Sequence, residues 1–207
     1  MAIRTAVNRA LTAITALPTA AALVDGNLTL LTTATASSSA TLSFTSSIDS
    51  TYNSYLFKFI NIHPSAGDRQ LVFQGNAAGG SGFNETITST SFRAYHDEGD
   101  SATGLEYRGA DDQQQGTDFQ KLSDTVKTDN DASVSGELTL FNPSSTTFVK
   151  HFIAVTNAYN QDVYSMNTFA AGYFNTTSAI DEIQFKMRTG NIDSGVIKMY
   201  GVGDKQS

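Results

Sequence analysis

A chain of 207 residues with a net charge of -7 is long enough to bury about 70% of its unfolded surface in one core, so one main domain is expected. Its 13 Lys and Arg are scattered along the chain, which excludes a nucleic-acid-wrapping role. The lack of Cys excludes disulfides and thiolate metal sites, and no run of about 20 apolar residues suits a membrane span.

The first predicted element is a helix over residues 2–17. Ile3, Val7, Ala10, Ile14 and Leu17 fall at alternating spacings of four and three, Leu11 broadens the seam, and Pro18 ends it. Arg4 and Arg9 before an apolar run resemble a secretion signal, but Thr12, Thr15 and Thr19 interrupt that run, so cleavage is not expected. Two heptads are too short to hold alone in water. Residues 1–24 are therefore read as a helical arm that anchors the protein or drives its assembly through Ile3, Val7, Ala10, Leu11, Ile14 and Leu17, and residues 25–207 as a β-sandwich domain.

From Asp25-Gly26-Asn27 onward the period changes to two. Leu28–Thr33 and Ala40–Phe44 read as strands. In Ser54–His63 the residues Tyr55, Phe57 and Phe59 are expected on one face, with Leu56, Ile60 and Ile62 on the other, before Pro64 closes the strand. Arg69–Gln74 and Phe83–Thr90 are expected to form a hairpin around the loop Gly75–Gly82, and Ser91–Tyr95 to extend the sheet. Further strands are expected at Ser133–Phe141, Phe148–Thr156 and Val163–Tyr173. Charged residues make up only 16% of the chain, and 13 Phe and 8 Tyr supply core bulk, as suits an antiparallel sandwich whose neutral surface meets other subunits.

Asp97–Asp131 interrupts this pattern. It holds ten acids and only Leu105, Tyr107, Phe119 and Leu122 as large anchors, which predicts a loop excursion at an interface or the outer surface. Asp97-Glu98-Gly99-Asp100 and Asp129-Asn130-Asp131 lack the spacing of a calcium loop and read as solvated turn acids. Glu85, Glu98, Glu106, Glu137 and Glu182 are candidates for a glycosidase acid pair, which sequence alone cannot assemble. His63, His96 and His151 are isolated, with no zinc spacing, and no Ser sits in a nucleophile elbow. Gly79-Gly80-Ser81-Gly82 lacks the Lys and helix of a phosphate loop. No catalytic residue, cofactor or metal is assigned.

The chain's last stretch carries the clearest pattern. Ile183, Phe185 and Met187 alternate with polar residues, Gly190-Asn191-Ile192-Asp193-Ser194-Gly195 interrupts, and Val196–Tyr200 resumes as an arm apolar on both faces except for Lys198. A hairpin is expected there, with its second arm inside a sheet. Thr189–Gly201, together with Phe44–Asp49, Phe92–His96 and Pro143–His151, resembles a group of virion proteins of tailed phages, especially those of cyanobacteria. The resemblance runs from about Phe44 to Val202 and is specific as a set. It implies a structural protein on the virion head or tail surface, with a jelly-roll-like fold and no catalytic residues. Three roles follow as expectations: a capsid decoration protein that bridges major capsid protein subunits, a tail-fibre or receptor-binding module contacting host glycan, and a glycan-cleaving enzyme. The first is favoured, as a homotrimer with major capsid protein or other virion proteins as partners and with neither nucleic acid nor membrane.

Overall fold

The structure is a computed structural model describing residues 28–67, 69–160 and 162–203. The expected helix over 2–17, with Ile3, Val7, Ala10, Leu11, Ile14 and Leu17, lies outside the described residues. The expected all-β antiparallel sandwich is the fold observed. Its large sheet runs β1 (Leu28–Thr35), β13 (Ile192–Val202), β3 (Ser54–Pro64), β9 (Val134–Phe141), β10 (Lys150–Tyr159), β11 (Tyr164–Phe174), β5 (Ile87–Asp97) and β6 (Thr103–Tyr107), and β7 (Gln114–Gly116) pairs with β5. The small sheet runs β2 (Leu42–Phe44), β12 (Ile180–Met187), β4 (Leu71–Ala77) and β8 (Gln120–Lys121).

Alternation places one set of side chains between the sheets. In β10 the residues Phe152, Ala154 and Ala158 are buried, while His151, Ile153 and Asn157 face outward. Aromatic side chains join the layers. Phe185 of the small sheet lies 5.3 Å from Phe57 and 5.2 Å from Phe59, and Phe73 lies 4.9 Å from Phe152. Most of these contacts are edge-to-face or tilted, the arrangement that ring quadrupoles prefer.

The expected last hairpin is corrected. β12 pairs with β2 and β4 in the small sheet, whereas β13 pairs with β1 and β3 in the large one. The turn after Met187 therefore carries the chain from one layer to the other, with Gly190 in the left-handed region at φ 77. The backbone N–H of Asn191 donates to Ser65 Oγ at 2.9 Å and its Nδ2 donates to the Ser38 carbonyl at 3.1 Å, pinning the crossing to two other loops. The second expected hairpin fails in the same way, because β4 lies in the small sheet and β5 in the large one.

Ile62 is also corrected. It is fully buried on the same side as Phe57 and Phe59, because Asn61, at φ 49, makes a bulge between Phe59 and Ile62 and shifts the alternation by one. Gly195 faces this bulge at φ 119, and a Cβ there would lie 2.5 Å from the Asn61 carbonyl oxygen, so only glycine fits.

Candidate functional site

The structure brings together no catalytic set from the sequence candidates. Among the described residues, no group of three or more His, Asp or Glu is placed to hold a metal ion, and no helix is long and apolar enough to cross a membrane. Glu85 Oε1 accepts from the Ala77 backbone N–H at 3.0 Å, Glu182 Oε2 accepts from Asn76 Nδ2 at 3.1 Å, and Glu137 pairs with Lys58 at 3.5 Å. Glu98 donates its backbone N–H to the Val163 carbonyl at 3.2 Å. His151 lies outward beside Tyr173, His96 meets Asp100 at 3.2 Å, and His63 Nε2 sits 3.2 Å from the Asp129 carbonyl.

The acid-rich excursion differs from expectation. It contributes β6 and β7 to the large sheet and β8 to the small one, and its Leu122 and Val126 are fully buried in the core. Three of its acids are buried rather than solvated. Asp97 caps the β5–β6 turn by accepting from the backbone N–H groups of Ser101 and Ala102, each at 2.8 Å. These bonds, with the Ser101 hydroxyl foremost, hold its carboxyl below the ordinary aspartate value. Asp111 receives Lys121 at 2.8 Å and Arg108 at 3.1 Å. Asp124 pairs with Arg93, which also meets Glu106 at 2.5 Å. Burial of the Arg93 guanidinium lowers its proton affinity, but the two carboxylates outweigh that and raise it. Period-two patterning could not reveal these anchors, since it reports which face a strand buries and not which ions meet, and Arg93 and Asp124 lie 31 residues apart.

Two surfaces remain as candidates. The first is a polar cleft of about 480 Å3 between the excursion and the outer side of the small sheet, lined by Asp111, Asp112, Gln113, Asp118, Phe119, Lys121, Lys186 and Arg188. Lys186 Nζ sits 4.0 Å above the Phe119 ring. The Tyr107 hydroxyl donates to Asp112 at 2.5 Å, which raises the tyrosine's proton affinity.

The second is the outer face of the large sheet. Of ten large hydrophobic residues left exposed among those described, eight lie here: Leu28, Leu30, Ile60, Phe92, Leu105, Tyr107, Phe141 and Ile153. Register aligns them crosswise. Leu30, Tyr200, Leu56, Thr139, Ile153, Ala171 and Thr90 are neighbours strand by strand, forming a row without a charge. In the adjacent row Lys198, Lys58 and Glu137 precede Val155, Phe169, Phe92 and Tyr107, and the rings of Phe92 and Phe169 stack at 4.8 Å. Among the described residues Glu137 is the one acid projecting from the strands on this face, with Asp193, Asp100 beside His96 and Asp112 beside Tyr107 at its rim. An apolar surface this broad is unusual on a protein that stands alone.

Comparisons with protein-family models, with curated proteins and with solved structures returned no match.

Proposed function

We propose that this chain is a structural, non-catalytic protein of a tailed-phage virion, and specifically a decoration protein that binds the head exterior and stiffens it by bridging major capsid protein subunits, working as a homotrimer. The observation that supports it is the outer face of the large sheet, where eight of the ten exposed large hydrophobic residues gather with three charged side chains in the paired strands. Such a surface gains by being covered with protein. The sequence resemblance to phage virion proteins supplies the setting. In this role the arm of residues 1–24 is the attachment to the particle, through Ile3, Val7, Ala10, Leu11, Ile14 and Leu17.

Counting copies in purified virions by quantitative mass spectrometry tests the assignment. Hundreds of copies per particle are expected, and adding the full chain to particles lacking it should raise the temperature at which the shell opens. Absence from particles would end the proposal. A few tens of copies would instead favour a tail-fibre or receptor-binding role, for which the polar cleft beside Lys186, Arg188 and Asp118 offers hydrogen-bonding groups suited to a host-surface glycan.

A further inference from the structure

We infer that the outer face of the large sheet is where copies of this chain meet, so that the occupant of the face is a second copy. This rests on the assembly role proposed above and names its partner.

Size is the first reason. The sheet path contains eight strands, which at about 4.8 Å spacing span about 34 Å, and seven residues of a strand at about 3.3 Å each span about 23 Å. The resulting area of about 800 Å2 matches one side of a standard stable interface.

Charge is the second. A chain of net charge -7 repels its own copies wherever acid-rich surfaces approach, whereas this face presents Lys58, Lys198 and Glu137, and Glu137 is already paired with Lys58 at 3.5 Å. Copies can therefore approach here with little opposition. Residues 1–24, by contrast, carry Arg4 and Arg9 and no acid, so the arm's charge complements the acid-rich surfaces elsewhere better than this one.

Sedimentation equilibrium of the full chain from about 0.1 to about 100 µM reads the association. Concentration-dependent association is expected. Ile153→Asp would put an unpaired charge at the centre of the contact and weaken association at least about 100-fold. Because Ile153 is 52% exposed in the single chain, the variant should keep its circular dichroism and melting temperature. Leu30→Asp should act alike, and Asn84→Asp, at an exposed site off this face, should change nothing.

A chain that stays monomeric at 100 µM overturns the inference, and so does association that both face variants leave intact. A monomer that associates only once Val7 and Ile14 are both changed to Asp also overturns it, since the arm would then be the occupant. The two proposals fail separately. Self-association through this face by a protein absent from virions refutes only the virion role, whereas a particle protein that is monomeric alone refutes this inference and the homotrimer but leaves the virion role standing.

Discussion

Replacing Phe185 with alanine probes the centre of the sandwich. The ring is fully buried and has four aromatic neighbours, Phe59 at 5.2 Å, Phe57 at 5.3 Å, Phe44 at 6.0 Å and Phe73 at 6.1 Å. Truncating a buried Phe to Ala costs about 3–5 kcal/mol. The cost should lie in the upper part of that range, because each ring pair contributes about 0.5–1.5 kcal/mol beyond simple burial. The neighbours come from both sheets, so neither layer can close the void by moving alone. For a domain of this size about 4 kcal/mol corresponds to a fall in melting temperature of roughly 8–16 °C. Urea unfolding followed by circular dichroism measures it, with an unchanged slope showing that the fold is retained. Phe148→Ala is the control. That ring is 68% exposed, and its loss should stay within about 0.5 kcal/mol. If Phe185→Ala costs less than about 1.5 kcal/mol, the ring is not the joint between the layers.

Arg93→Met should leave the Asp124 carboxylate buried without its partner and destabilise by about 3–5 kcal/mol, and limited proteolysis should then cut first within 108–126; uniform cutting would refute the brace. Lys150 is fully enclosed, its Nζ donating to the carbonyls of Phe148 at 2.6 Å and Thr176 at 3.1 Å, with no carboxylate paired to it among the described residues. Burial pushes its ammonium below the ordinary lysine value, so the folded chain binds its proton less tightly than the unfolded one. The wild type should therefore gain stability relative to Lys150→Met as pH rises through the lowered value toward the ordinary one, and parallel pH profiles would sink that claim. Asp49 and Asp97 are held below the ordinary aspartate value, chiefly by bonds from Thr51 and Ser101 respectively. Their stabilisation is present at neutral pH and is lost as pH falls through those lowered values, so Asp49→Asn with Asp97→Asn should flatten the acid limb of the stability profile.

The strands were legible because alternation is local: Tyr55, Phe57 and Phe59, or Phe152 and Ala154, declare their face within a few residues. Strand partnership was not legible. Ile183–Met187 and Val196–Tyr200 carry the pattern of a hairpin, yet β2, β4, β1 and β3 supply their partners from more than a hundred residues away. Local signals report how far a strand runs and which side is wet, and they are silent about which layer receives it. Asn61 misled for a related reason, because a single left-handed residue inverts the phase of everything after it and leaves no mark in composition. Within the candidate surface, Ile153 and Phe92 looked from sequence like ordinary members of alternating strands. Only register across the large sheet gathers them into one face.

The place of β13 between β1 and β3 also bears on how the molecule is made. The chain emerges from the ribosome N-terminus first, and β13, which joins β1 to β3, appears only after both of them and after β9. Until Val196–Val202 arrives, β1 has no neighbour in the sheet and β3 has only β9. A nascent chain therefore carries two open edges able to pair with other chains. Closure bridges well over a hundred residues, which sets a slow folding step. A message cut before Val196 should yield an aggregating product rather than a slightly smaller sandwich.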